Sequence, residues 1–135
     1  MALPNGAGGY QLGDGNLNEV VLGYQAAPQS VTATATLTAA QVASGVLLVG
    51  SGATTAQTYT LPTGTALDAL VSSAKVNSTF ELVLVNLGTS SGTAALAAGT
   101  GVTDGGNATV AISATSSGRF MFRRTGDATY VVYRV

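Results

Sequence analysis

The sequence predicts an all-β fold: a β-sandwich, jelly-roll-like, of about eight strands with one short helix and an extended N-terminal arm. Two observations lead there. From residue 30 onward, short runs alternate apolar and polar side chains, the period of a strand with one buried face. Between the runs lie Gly, Pro, Asn and Asp at intervals of roughly 8–12 residues, the turn spacing of a sandwich or barrel.

The elements follow in order. In "SVTATATL" Val31, Ala33, Ala35 and Leu37 alternate with Thr32, Thr34 and Thr36, which predicts one strand with a threonine face outward. "LTAAQVASG" has Thr38 as an N-cap and Gly45 as a stop, which predicts a short helical turn. "VLLVG" (46–50) is an apolar run closed by glycine and reads as a buried strand. "AQTYTLP" (56–62) places Tyr59 and Leu61 on one face and ends at Pro62.

"TGTALDALVSSA" is the best helix candidate. Thr63 or Thr65 caps it, Ala66, Leu67, Leu70 and Val71 form its apolar stripe, and Asp68 and Lys75 suit the two ends of its dipole. "STFELVLVNLG" (78–88) sets Phe80, Leu82 and Leu84 against Thr79, Glu81, Val83 and Val85. It turns apolar on both faces towards its end, as a central strand does. "TAALAAG" (93–99) and "NATVAIS" (107–113) read as two more strands separated by the glycine turn "GTGVTDGG". "SGRFMFRRTGDATYVVYRV" reads as a hairpin turning at "TGDA", with Phe120 and Phe122 opposite Arg119, Met121 and Arg123.

The strand pattern starts only after Pro28. The chain therefore divides into an arm, residues 1–28, and a single β-sandwich domain, residues 29–135. The arm is rich in glycine yet carries Tyr10, Leu12, Leu17, Val20, Val21, Leu22 and Tyr24. A terminus of that kind needs a surface to tie it down.

Composition limits the function classes. Charged residues are 8% of the chain, against roughly a quarter in an average domain. A surface so poor in charge is weakly protected against association and fits a protein that works in an assembly. Lys75 stands alone and the arginines sit near the C-terminus, so no basic stripe for nucleic acid exists. No apolar run approaches the roughly 20 residues of a membrane-spanning helix.

His and Cys are both 0, which removes imidazole bases, thiolates and their metal sites. Gly88-Thr89-Ser90-Ser91-Gly92 matches the G-x-S-x-G pattern, but its histidine partner does not exist and its context is strand to strand. Ser72-Ser73-Ala74-Lys75 matches S-x-x-K without companion motifs. The carboxylates Asp14, Glu19, Asp68, Glu81, Asp104 and Asp127 are scattered, and Asp104 and Asp127 fall in turns. The expectation is a protein that is not an enzyme, with no cofactor, no metal and no small-molecule substrate. Arg119, Arg123 and Arg134 are candidate subunit contacts, since arginine binds partner carboxylates or carbonyls in a fork; the plainer reading gives them ion pairs to Glu81 or Asp127.

The strings "GYQLGDGNLNEVVLG", "LTAAQVASGVLLV", "YTLPTGTALDAL", "TFELVLVNLG", "TAALAAGTGVT" and "SSGRFMFRRTGDATYVVYRV" together resemble a tailed-bacteriophage capsid decoration (cement) protein, from Tyr10 to Val135. The resemblance implies a β-rich homotrimer on the outer surface of an icosahedral virion, made in the host cytoplasm. Its partner would be the phage major capsid protein, whose neighbouring subunits it clamps; neither nucleic acid nor membrane is expected as a partner. On that expectation the arm supplies the capsid contacts: Tyr10, Leu12, Leu17, Val21 and Tyr24 as pegs, and Asp14, Asn16, Asn18 and Glu19 as hydrogen-bonding groups. The alternative is a virion-surface or host-surface binding module, a glycan- or receptor-binding jelly roll or head-fibre base. In that case Tyr10, Tyr24 and Tyr59 would stack on sugars.

Overall fold

The structure is a computed structural model that describes residues 22–135. Nine strands and two helices follow one another: β1 (Gln29–Val31), β2 (Ala35–Thr36), α1 (Ala39–Ala43), β3 (Val46–Val49), β4 (Gln57–Thr60), α2 (Gly64–Leu70), β5 (Thr79–Asn86), β6 (Ala94–Ala97), β7 (Val102–Gly106), β8 (Ser117–Gly126) and β9 (Thr129–Arg134). They form a mixed six-stranded sheet in the order β1-β3-β5-β8-β9-β7 and a three-stranded sheet in the order β2-β4-β6. The chain is mostly β, as its alternating pattern requires.

The first six strands alternate between the sheets. Each circuit lays one strand on the large sheet and the next on the small one, beside the strand of the previous circuit and parallel to it. The helices α1 and α2 lie on the returns from small sheet to large. The β8–β9 hairpin then pairs antiparallel with β5, and β7 joins β9 in parallel at the far edge. A jelly roll is built from antiparallel pairs. Five of the seven ladders here are parallel, so the jelly-roll expectation does not describe this strand order. Alternation within a strand dictates which face is buried but carries no information about the partner, and so the pattern is the same for either topology.

Three local expectations also change. "SVTATATL" is not one strand: the chain bends at residues 32–34, so β1 and β2 enter different sheets. The bend is held by Thr34, whose amide and hydroxyl both donate to Gln57 Oε1 at 2.7 and 2.9 Å. The segment 107–113 makes only the isolated bridge Ala94↔Ile112, while the neighbouring "VTDGG" forms strand β7. Among the described residues, the helical turn expected after Thr38 is a second helix beside the one expected from Thr63. Thr38 caps α1 in a full capping box with Gln41. Thr63 caps α2 through Ala66 N–H, and α2 ends at Leu70, well before Lys75.

One hydrophobic cluster joins the sheets. Leu47, Leu82, Leu84, Phe120, Phe122 and Val132 come from the large sheet, Tyr59, Ala94 and Leu96 from the small one, and Val42 and Leu67 from the helices. Phe80 stacks on Phe122 with ring centroids 4.9 Å apart. Asn86, at the end of β5, is the buried polar residue of this region. Its amide donates to the carbonyls of Gly92, Ile112 and Ser113, and its oxygen accepts the Gly88 N–H. It thereby pins two loops and pairs the Gly92 carbonyl in a buried setting, while the Ile112 carbonyl also accepts the Ala94 N–H. Gly92 serves the same region by its lack of a side chain, since a Cβ there would meet the Ala53 carbonyl oxygen at 2.0 Å.

Candidate functional site

Charged groups are few, and the best-connected of them face inward. Arg124 has the same parity along β8 as Phe120 and Phe122, so it points to the core side at the end of the strand. Its Nε and Nη2 donate to Asp68 Oδ1 and Oδ2 at 2.9 and 3.1 Å. The Tyr130 hydroxyl donates to Oδ1 at 2.7 Å, and the Ala128 amide donates to Oδ2 at 2.7 Å. Arg124 also reaches Asp127 at 3.0 Å. The Arg124 guanidinium, followed by the Tyr130 and Ala128 hydrogen bonds, holds the Asp68 carboxyl well below the usual carboxylate range. Burial, then the bond to Asp68, pushes Tyr130 up to about 12.

This cluster fastens the hairpin tip to α2. Asp68 lies outside the first turn of α2, so it does not serve the helix dipole as its sequence position indicated. Every donor and acceptor named here is spent inside the domain, and the arrangement is a clasp. The parity of Arg124 was the available signal: an arginine in register with two core phenylalanines needs a carboxylate on the core side.

Asp104 is also spent locally. Its carboxylate accepts N–H bonds from Gly106, Ala108 and Thr109 and the Thr109 hydroxyl, and these bonds hold its pKa down, with Ala108 the largest contributor. The segment Gly88–Gly92 lies between β5 and β6, the strand-to-strand setting expected for it. Among the described residues, no group of three His, Cys, Asp or Glu is placed to hold a metal ion. No helix among them is long and apolar enough to cross a membrane.

The outward-facing candidates fall into two places. The first is the arm. Tyr10, Leu12, Asp14, Asn16, Leu17, Asn18, Glu19 and Val21 lie outside the described residues. Tyr24 is described and stands 93% exposed, with Leu22 at 86%. Residues 22–28 run without regular structure into β1 and are exposed throughout. Gln25 is their anchor: its Nε2 donates to the Ser44 carbonyl at 2.6 Å, beside the start of β3.

The second is the outer face of the large sheet. Across it Val46 sits beside Val83, and Val83 beside Arg119; Leu48 sits beside Val85; Met121 sits between Glu81 and Tyr133. None of these belongs to the core cluster, and the apolar ones are half-buried by one another. Arg119 and Arg123 share this face. Arg119 keeps a loose 3.9 Å contact with Glu81 and has a side chain 60% exposed. Arg123 donates to the Tyr133 hydroxyl and to Asn77.

Arg134 has the opposite parity on β9 and donates to the Val110 carbonyl at 3.3 Å, so it stands apart from the other two. Of the three arginines read as candidate subunit contacts, the fold brings two onto one face. Tyr59 is fully buried, with its hydroxyl on the Thr32 carbonyl, and offers no ring to a sugar.

Comparison of the chain with protein-family models, with curated proteins and with solved structures found no match.

Proposed function

We propose that this protein is a structural virion component that binds the outside of an icosahedral phage head as a homotrimer and cements neighbouring major capsid subunits. The domain is read as a two-sheet sandwich that serves as a rigid body, with the arm as its attachment. The observation that carries the proposal is the contrast between the two. The described acidic and amide groups that bind most are spent on internal clasps, whereas the segment entering β1 presents Leu22 and Tyr24 almost fully to solvent. A segment that keeps large apolar side chains in water is built to bury them against something else. The likeness to decoration proteins from Tyr10 to Val135 names that something as capsid. Three arms per trimer would add their contacts by avidity, with no single strong contact needed.

The test is co-sedimentation with expanded phage shells, comparing the full chain with a variant lacking residues 1–28, alongside a solution mass for each. The expected result is a folded trimer in both and shell binding only in the full chain. Equal binding by the truncated protein would sink the role of the arm, and a stable monomer would sink the trimer.

A further inference from the structure

We propose that copies of this chain hold one another through the outer face of the large sheet, three such faces turned to a common axis. The inference rests on the homotrimer of the reading above and names the surface that makes it.

The face has the anatomy of a subunit contact. Its middle strands carry Val46, Val83, Val85 and Met121 outward, where a sheet facing water would alternate to polar residues. Leu87 and Val135 extend the apolar area past the ends of β5 and β9, with 45% and 61% of their surface in water. Polar side chains stand at the two edges: Ser30 on β1 is beside Leu48, and Thr103 on β7 is beside Val131. An apolar centre inside a polar rim is how such contacts are built. Among the described residues, both helices and the small sheet pack on the opposite, core side.

A further copy is the partner that fits. With charged residues at 8% of the chain, the free protein has little to keep such a face in water. The cover must therefore be at hand once the chain folds, and not only when a larger partner is met. The face also complements itself in charge. Glu81 and Arg119 form one diagonal of a square whose other diagonal is Val83 and Met121. Their contact within the chain is loose at 3.9 Å, and both side chains are about half in water. Each can pair with its opposite number on another copy while the apolar diagonal is buried between them. Arg123 lies towards the far end, tied to Asn77 and Tyr133.

The size is sufficient. Six strands at the usual spacing are about 24 Å from first to last, and the extended length of β5 is about 26 Å. A flat footprint of roughly 600 Å², raised by side-chain relief, approaches the roughly 800 Å² that each partner gives to a stable interface.

The test is sedimentation equilibrium of the free full chain and of three variants. Arg119→Glu and Met121→Lys alter the face; Thr58→Lys puts a charge on the exposed outer side of the small sheet. The expected result is a trimer for the parent and Thr58→Lys, and a monomer for Met121→Lys. Arg119→Glu sets carboxylates against each other across the contact and should raise the dissociation constant at least about tenfold. Because the Arg119 side chain is mostly exposed, its replacement covers the case in which Met121→Lys fails to fold. An unchanged dissociation constant for Arg119→Glu overturns the contact and leaves the trimer standing. A monomeric parent overturns the trimer and the contact together.

Met121 reports on the cover directly. Parent protein above and below its dissociation midpoint is exposed to dilute peroxide, and oxidation of the Met121 peptide is followed by mass spectrometry. Oxidation about tenfold slower in the assembled protein is expected, since methionine oxidation follows exposure. A rate independent of concentration means that Met121 is open or is covered by its own chain, and overturns the proposal. All readouts use free protein, so their failure leaves the shell-binding result untouched.

Discussion

Asp68 and Arg124 meet in a two-pronged pair, Nε to Oδ1 at 2.9 Å and Nη2 to Oδ2 at 3.1 Å, that ties a helix to the hairpin 56 positions later in the chain. The pair is geometrically over-determined, because the Tyr130 hydroxyl and the Ala128 amide bind the same carboxylate. The hairpin tip cannot move without breaking several charge-assisted bonds at once.

Acid stability should depend on Asp68. Its folded pKa is depressed below that of the unfolded chain, first by Arg124. Between the two values the unfolded state binds more protons, so the contribution is whole above about pH 5 and is lost as pH falls through roughly 4 and below. Melting temperature measured from pH 7 to pH 2 should fall steeply for the parent. Asp68→Asn should melt lower at pH 7 and show a flatter acid limb.

The alkaline limb belongs to Tyr130. Its pKa is pushed up to about 12 by burial and then by Asp68. The unfolded tyrosine loses its proton near pH 10, so stability should fall as pH rises from about 10 to 12. Tyr130→Phe removes that dependence, and its unfolding midpoint should vary less with pH over this interval than the parent's.

The hairpin tip gives opposite results at two positions. A Cβ on Gly64 would lie 1.8 Å from the Ala128 carbonyl oxygen, a backbone atom held in place by the clasp. Gly64→Ala should destabilise by about 3 kcal/mol in urea unfolding, the upper part of the range for overpacking. Ala128 itself has φ +53°, the left-handed region that favours glycine. Ala128→Gly should stabilise by about 0.5–1 kcal/mol, the relief of that conformation less the entropy glycine adds to the unfolded chain.

Asn86 should behave as a staple. Asn86→Ala removes an amide that serves the carbonyls of Gly92, Ile112 and Ser113 and the Gly88 N–H, and leaves them buried without it. A loss of about 2–3 kcal/mol follows, since the Gly92 carbonyl and the Gly88 N–H lose their Asn86 bonds while the Ile112 carbonyl keeps the Ala94 N–H. Amide exchange should quicken first at residue 88 and in the segment around Ile112. A substitution with no effect on those amides would remove Asn86 from this role.

Core and rim aromatics should separate. Phe122 is fully buried and Phe80, stacked on it, is only partly so. Phe122→Ala should cost about 3–5 kcal/mol and Phe80→Ala distinctly less, since the cost scales with the cavity left behind.

The hairpin, the caps of both helices and the burial of Leu82, Leu84, Phe120 and Phe122 were legible because each rests on near neighbours in the chain. The break inside "SVTATATL" was not, for the bend at residues 32–34 is imposed by Gln57 from another circuit. Strand β7 was hidden because Asp104, Gly105 and Gly106 have poor strand propensity. It exists through its pairing with β9, and a Cβ on Gly105 would run into Val131 at 2.3 Å. The segment 107–113 has strand composition and lacks a ladder. The pairing of Asp68 with Arg124 could have been anticipated from parity. The outer face of the large sheet was half visible in the two-sided apolar character of β5, whose Val83 and Val85 face outward and stay partly exposed.

The winding of the first six strands gives the molecule a direction under load. Tension on the N-terminus meets β1, an edge strand held by one ladder, so the circuits should peel off singly at low force. Tension on the C-terminus meets β9, held between β8 and β7, so two ladders must shear together. A tether fixed through the arm would yield by paying out chain, one circuit at a time, while the hairpin end stayed intact.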